Sequence, residues 1–201
     1  FLKGRPNRIF EGTPERGDVV VFRHPVSGTD YIKRVIGLPG DKVQMRASRL
    51  FINGVMTKIN MTEDFIEVYE RQGSQGNRPI CSNGVVGLGG NCIKKRYIET
   101  LPNGVSYGIL DTVDQDDLKL GGRLNLDSTK VYSVPKGHFF FMGDNRDNSS
   151  DSRVPQSSGG VGFVPMEDIV GRADRILFSS AGQSMLAFWT WRSTRYLKAV
   201  N

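Results

Sequence analysis

The chain is expected to fold as a mainly β protein that carries an inserted, less regular lobe. Short runs rich in β-branched and aromatic residues recur between Gly, Pro and Asn-Gly breaks. The pattern fades between 56 and 129 and then returns, which divides the chain into a β core of 1–55 and 130–201 and a lobe of 56–129. With 201 residues, 38% hydrophobic and 24% charged, 24 glycines and 9 prolines, the composition suits a turn-rich globular protein rather than a disordered one.

Residues 18–22 and 30–36 read as strands that pair across a turn at 25–29. The Gly-Leu-Pro-Gly-Asp sequence at 37–41 ends the second strand and 42–45 starts a third. A hairpin signal follows in Asn53-Gly54, within the run 50–55. Inside the lobe, 73–90 is loop-like, Pro102-Asn103-Gly104 is a turn and Gly121-Gly122 a further break. Strand character returns at 130–134 and 137–142 and leads into a dense charged loop, 143–153. Another strand begins at Ile169, and near the end Met185, Phe188, Trp189 and Tyr196 recur at helical spacing.

A net charge of +6 and a pI near 9.4 raise the question of nucleic acid, but basic and acidic residues are interleaved and no basic stripe forms. Nucleic acid is therefore not an expected partner. Only the C-terminal end concentrates one sign, with Arg192, Arg195 and Lys198 after Phe188, Trp189 and Trp191. That pattern suits an anionic membrane surface, and equally a helix packed on its own domain. No apolar run approaches the roughly 18 residues that cross a bilayer. Cys81 and Cys92 lie in a Gly- and Asn-rich stretch that can bend back, without a third or fourth ligand nearby. They read as a short-loop disulfide in an oxidising compartment, or as two unrelated thiols. Neither a metal nor a cofactor is expected.

Two segments carry chemistry. In 30–41, strand alternation puts Tyr31, Lys33 and Val35 on one face, flanking the amine with apolar groups. Desolvation there disfavours the ammonium and fits Lys33 for general-base work near neutral pH; the plainer reading is a strand lysine that reaches out to water. In 143–153, eleven residues include three aspartates, two asparagines, two arginines and three serines. A calcium loop starting at Asp147 fails, because Ser152 stands where the sixth-position glycine belongs and Ser158 where the bidentate Glu belongs. A self-satisfied ionic loop that holds a serine hydroxyl against an amine fits better. The two histidines suit a Ser-His-Asp scheme poorly: His24 precedes Pro25 in a turn and His138 opens an aromatic strand.

These two segments, together with the Arg-Gly-Asp-Val-Val-Val-Phe run at 16–22, closely resemble three ordered sequence boxes of bacterial type I signal peptidases, over about 15–175. The resemblance implies a strongly bent antiparallel sheet core and a Ser/Lys dyad without histidine. It makes Lys33 the general base, first for the serine and then for the deacylating water, with Ser149 orienting that lysine. Asp151 and Arg153 resemble a structural ion pair beside the site, with Asp144 and Arg146 as further supports. Asp30, Tyr31 and Ile32 correspond to the edge strand that receives the signal peptide in extended form, Ile32 shaping a small-residue pocket. The implied activity is removal of N-terminal signal peptides from exported preproteins after small residues. The implied setting is a monomer at the inner membrane, in contact with the membrane surface and with its catalytic domain in the periplasm.

The family's nucleophile lies in a Ser-x-Ser-Met-x-Pro type segment upstream of Arg16, and nothing in 1–15 resembles it. Ser184-Met185 lacks the following proline and stands after the charged loop. The nucleophile is therefore expected upstream of this chain, and the chain alone is expected to be inactive. Two alternatives stand beside this reading: a self-cleaving repressor-type Ser/Lys peptidase, against which the charged loop and cysteine pair argue, and a catalytically inactive periplasmic peptide-binding module.

Overall fold

A computed structural model describes residues 12–72, 76–113, 125–176 and 198–199. Its strands are β1 (Val19–Arg23), β2 (Asp30–Gly37), β3 (Lys42–Arg46), β4 (Arg49–Ile52), β5 (Val55–Met56), β6 (Lys58–Met61), β7 (Phe65–Val68), β8 (Asn91–Lys94), β9 (Arg96–Thr100), β10 (Ser106–Leu110), β11 (Tyr132–Ser133), β12 (His138–Met142), β13 (Val164–Pro165), β14 (Ile169–Arg172), β15 (Arg175–Ile176) and β16 (Lys198–Ala199). Paired strands are antiparallel, and the mainly β expectation holds. The largest sheet has the order β13-β12-β2-β1-β14; β11-β3-β4-β5 and β10-β9-β6 form two more, with β7-β8 and β15-β16 as two-stranded ribbons. The C-terminal helical pattern from Met185 and the aromatic-basic stretch at 188–195 lie outside the described residues.

The hairpins follow from local chemistry. β1 and β2 pair across the turn at 25–29, with Val20 opposite Lys33. Between β4 and β5, Asn53 (φ 53°) and Gly54 (φ 81°) both take left-handed backbone, the geometry a two-residue type I′ turn requires.

Two strands feed two cores at once. On β12, Phe139 and Phe141 join Val20, Phe22, Val35, Val161, Val164 and Ile169. Phe140 and Met142, one step out of phase, join Ile36, Val43, Met45, Leu50 and Ile52 on the other face. β2 does the same with Val35 and Ile36. A strand buried on both faces reads as a continuous apolar run, which explains the sequence of β12. At Gly37 a Cβ would lie 2.8 Å from Val43 and 2.9 Å from Phe140, so β2 turns away from the large sheet where only glycine fits.

The fading pattern of the middle segment has a physical cause. β8 and β9 bury Cys92, Lys94 and Glu99, so the alternation that marks a strand is written there in charged residues. Lys94 is matched by Glu67 at 2.5 Å. Leu101, Tyr107 and Ile109 from this segment pack into the first core cluster beside Ile36 and Met142. Cys81 and Cys92 form a disulfide, which settles the two readings of that pair.

Candidate active site

β2 lies between β1 and β12, yet half of it is an edge. β12 pairs with it only at Arg34, Val35 and Gly37, because the chain leaves β12 at Met142 for the charged loop. Along 30–33, no strand among the described residues covers the side away from β1. That side offers backbone groups to an extended peptide. Ile32 is 55% exposed, Tyr31 is half-buried and stacks toward Phe22, and Asp30 is exposed, with Arg23 Nε donating to it over 3.4 Å.

A cleft of about 420 Å³ opens beside this edge, with Ile32, Lys33, Gly143, Asp144, Asn148 and Ser149 in its lining. Lys33 has no hydrogen bond and no carboxylate within ion-pair distance among the described residues; its Nζ lies 5.8 Å from the centre of the Tyr31 ring. Burial lowers its pKa from the ordinary lysine value. Asp151 pulls upward and Arg153 downward, and the shift remains downward. Part of the population is thereby held as free amine at lower pH, the form that can take a proton.

Gly143 makes the approach possible. A Cβ there would sit 2.1 Å from Ser149 Oγ and 3.5 Å from Lys33 Nζ, so the hydroxyl and the amine converge over a residue without a side chain. Ser149 Oγ is buried and makes no hydrogen bond among the described residues, and it faces the amine across Gly143.

The loop is held from below. Arg153 donates from Nε and Nη2 to the two oxygens of Asp151, each at 2.9 Å. Asp151 also accepts the N–H groups of Gly143 at 3.0 Å and Arg153 at 3.1 Å. Burial alone would raise this carboxyl, but the guanidinium and the accepted hydrogen bonds prevail and hold it below the usual carboxylate range. Arg153 Nη2 donates to the Arg146 carbonyl at 2.7 Å. Arg146 itself is fully buried and pairs with Glu99. Glu99 in turn accepts Tyr107 Oη at 2.6 Å and Thr57 Oγ1 at 3.1 Å. Asp144 is gripped by Arg34 through Nε at 2.9 Å and Nη2 at 2.8 Å. The Arg34 guanidinium also lies 4.0 Å over the Tyr107 ring.

Glu99, Tyr107 and Thr57 are supports that the sequence reading missed, since they lie in the segment whose strand pattern is weak. Asp111 is another. Its carboxyl is pushed up to about 7 by burial and by the Asp147 and Asp127 carboxylates, against Arg146 and Arg153. The histidines stand apart from this chemistry. His24 Nδ1 accepts the N–H groups of Val26 and Ser27 at 3.2 and 3.1 Å, which leaves Nε2 to donate to Gly160 O at 3.0 Å. His138 Nδ1 lies 3.0 Å from the Lys136 carbonyl. Among the described residues, no group of three His, Cys, Asp or Glu is placed to hold a metal ion.

A lowered lysine amine beside a free strand edge can activate a hydroxyl or a water against a bound peptide. A solved signal peptidase I from Enterococcus faecalis is similar at 26% identity, covering 80% of this chain and 97% of its own, with a TM-score of 0.38. Among curated proteins, "Signal peptidase I" of Rickettsia bellii (strain OSU 85-389) is 38% identical over 90% of this chain and 53% of its own length. That of Rickettsia typhi is 40% identical over 90% of this chain and 58% of its own. The chain thus spans little more than half the length of these relatives. The family model described as "Signal peptidase, peptidase S26" matches residues 7–178, and the chain belongs to that signal peptidase family.

Proposed function

We propose that this chain is the bulk of the catalytic domain of a type I signal peptidase, a serine endopeptidase that removes signal peptides from exported preproteins after small residues. The observation that carries the reading is Lys33: a lysine without a carboxylate partner, its pKa lowered by burial, at the unpaired edge of β2. The substrate adds as an extended strand along 30–32, with Ile32 against a small side chain. Lys33 takes the proton from a serine supplied by the part of the relatives' length that this chain does not span, and later from the deacylating water. Ser149 orients Lys33. Asp151, Arg153, Asp144 and Arg146 hold the loop that carries Ser149. Membrane tethering, a periplasmic catalytic domain and a monomeric state belong to the same proposal.

The test uses the protein extended to the length of its relatives. Lys33→Ala is expected to lower kcat for a signal-peptide substrate by about a thousandfold or more while the domain stays folded; retained turnover removes Lys33 from its role. The 201-residue chain alone is expected to cleave nothing. Cleavage by this chain that disappears on replacing one of its own serines would overturn the assignment of the nucleophile.

A further inference from the structure

The disulfide loop at 81–92 has a surface unlike the rest of the molecule. None of its twelve residues is charged, in a chain that is 24% charged. At its tip Val85 is fully exposed and Leu88 is 69% exposed. The neck of the loop is closed by Cys81–Cys92. Asn83 adds a second clasp, donating to Asn91 O at 2.9 Å and accepting Ile93 N–H at 3.1 Å. Ser82 Oγ is committed as well, to Ile93 O at 3.0 Å.

The adjoining ribbon extends the apolar area. Ile66 and Val68 share one face of β7 and are both exposed, and Ile93 lies opposite Ile66. Tyr69 N–H to Gly90 O at 2.8 Å and Gly89 N–H to Tyr69 O at 3.0 Å tie the loop to the end of β7. Around this area the charge is mainly positive, although Lys94 pairs with Glu67 and Lys95 with Asp64. Residues 65–96 contain Arg71, Arg78, Lys94, Lys95 and Arg96 against only Glu67 and Glu70, a net +3 of the chain's +6. Arg71, Arg78 and Arg96 are exposed, and Arg78 reaches over the Tyr69 ring, 6.0 Å from its centre.

We propose that the 81–92 loop and the Ile66–Val68 face form a membrane-contact element, with Val85 and Leu88 entering the headgroup and acyl boundary of an anionic bilayer. Apolar tips inside a basic collar complement such a surface in both chemistry and charge. Exposed aliphatic tips need no directional contact, which suits an apolar solvent better than a protein groove, where polar contacts fix orientation. The inference rests on the proposed placement beside a membrane, and not on peptidase chemistry.

Vesicle co-sedimentation of the 201-residue chain tests it, with phosphatidylcholine vesicles compared with vesicles containing about 30% phosphatidylglycerol. The chain is expected to bind the anionic vesicles, and the Val85→Asp/Leu88→Asp variant to bind them about tenfold or more weakly. Val26→Asp, at an exposed valine in the turn between β1 and β2, is expected to bind as the parent does. Failure of the parent to bind, or equal binding by the double variant, overturns the proposal. The same double variant in the full-length protein is expected to cleave a soluble peptide within about twofold of the parent. A loss of vesicle binding with cleavage retained therefore separates this inference from the peptidase reading.

Discussion

Lys33 and Arg34 are neighbours in β2 and project to opposite faces of it, and the two faces treat a buried cation in opposite ways. Arg34 is the more deeply buried, its side chain only 3% exposed. It is matched by both oxygens of Asp144, by the Gly17 carbonyl at 2.7 Å and by the Tyr107 ring. Lys33 opens on a cleft, yet no carboxylate touches it, and its pKa falls. A buried cation with partners is compensated, whereas Lys33, with no carboxylate in ion-pair distance among the described residues, is desolvated without compensation and its pKa falls. The carboxylate that acts on it most strongly, Asp151, is occupied: Arg153 takes both of its oxygens. The fold thus leaves Lys33 unpartnered by giving its carboxylate to another cation.

The largest expected effect breaks that arrangement. Arg153→Met leaves Asp151 as a buried carboxylate without its guanidinium and is expected to cost about 3–5 kcal/mol in urea unfolding. It is also expected to raise the pKa of Lys33, since an unpaired Asp151 then favours the ammonium and the opposing field of Arg153 is gone. NMR of ¹³C-methylated lysines reads that shift directly. An unchanged Lys33 signal would mean that Asp151 does not govern the amine. Adding Asp151→Asn removes the stranded charge and is expected to recover part of the stability.

Asp111 is the acidic mirror of Lys33, a carboxyl pushed up to about 7 by burial and by Asp147 and Asp127. The folded state binds a proton there that the unfolded chain, titrating near 3.8, has already lost. Stability tied to this group is therefore full below about pH 4 and declines as pH rises through 7. Asp111→Asn is expected to stabilise the protein by roughly 2 kcal/mol at pH 8 and hardly at all at pH 4. Unfolding curves at the two pH values check it, and a gain independent of pH would place the effect in packing instead.

What was legible in the sequence is what local pattern encodes. The Tyr31-Lys33-Val35 face, the Asn53-Gly54 turn and the charge-dense loop at 143–153 are each short runs whose chemistry is visible without the fold. Glu99 could not be read that way. It stands 47 residues from Arg146, on a strand whose one fully buried position is this glutamate, and its meaning appears only when β9 lies beneath the loop. The same holds for Tyr107, which meets Arg34 through its ring and Glu99 through its hydroxyl. The half-edge of β2 was implied by the family resemblance alone and not by local pattern, because it depends on where β12 stops pairing.

The smallest expected effect asks what Lys33 costs its own fold. Its folded pKa lies below the 10.5 of a free lysine, so between those two values the unfolded chain holds more protons than the folded one. Stability of the parent therefore rises with pH across that window, and the penalty of an unpaired ammonium is complete below it. Lys33→Met keeps the length of the side chain and removes the charge. It is expected to stabilise the protein by about 1 kcal/mol at pH 6, the cleft's access to water limiting the gain. The advantage should shrink as pH rises through 10.5, above which the parent amine is neutral in both states. Unfolding free energies of parent and variant across that range decide the point: a constant difference would show that burial does not shift the Lys33 pKa, and the contrast between the two faces of β2 would be lost.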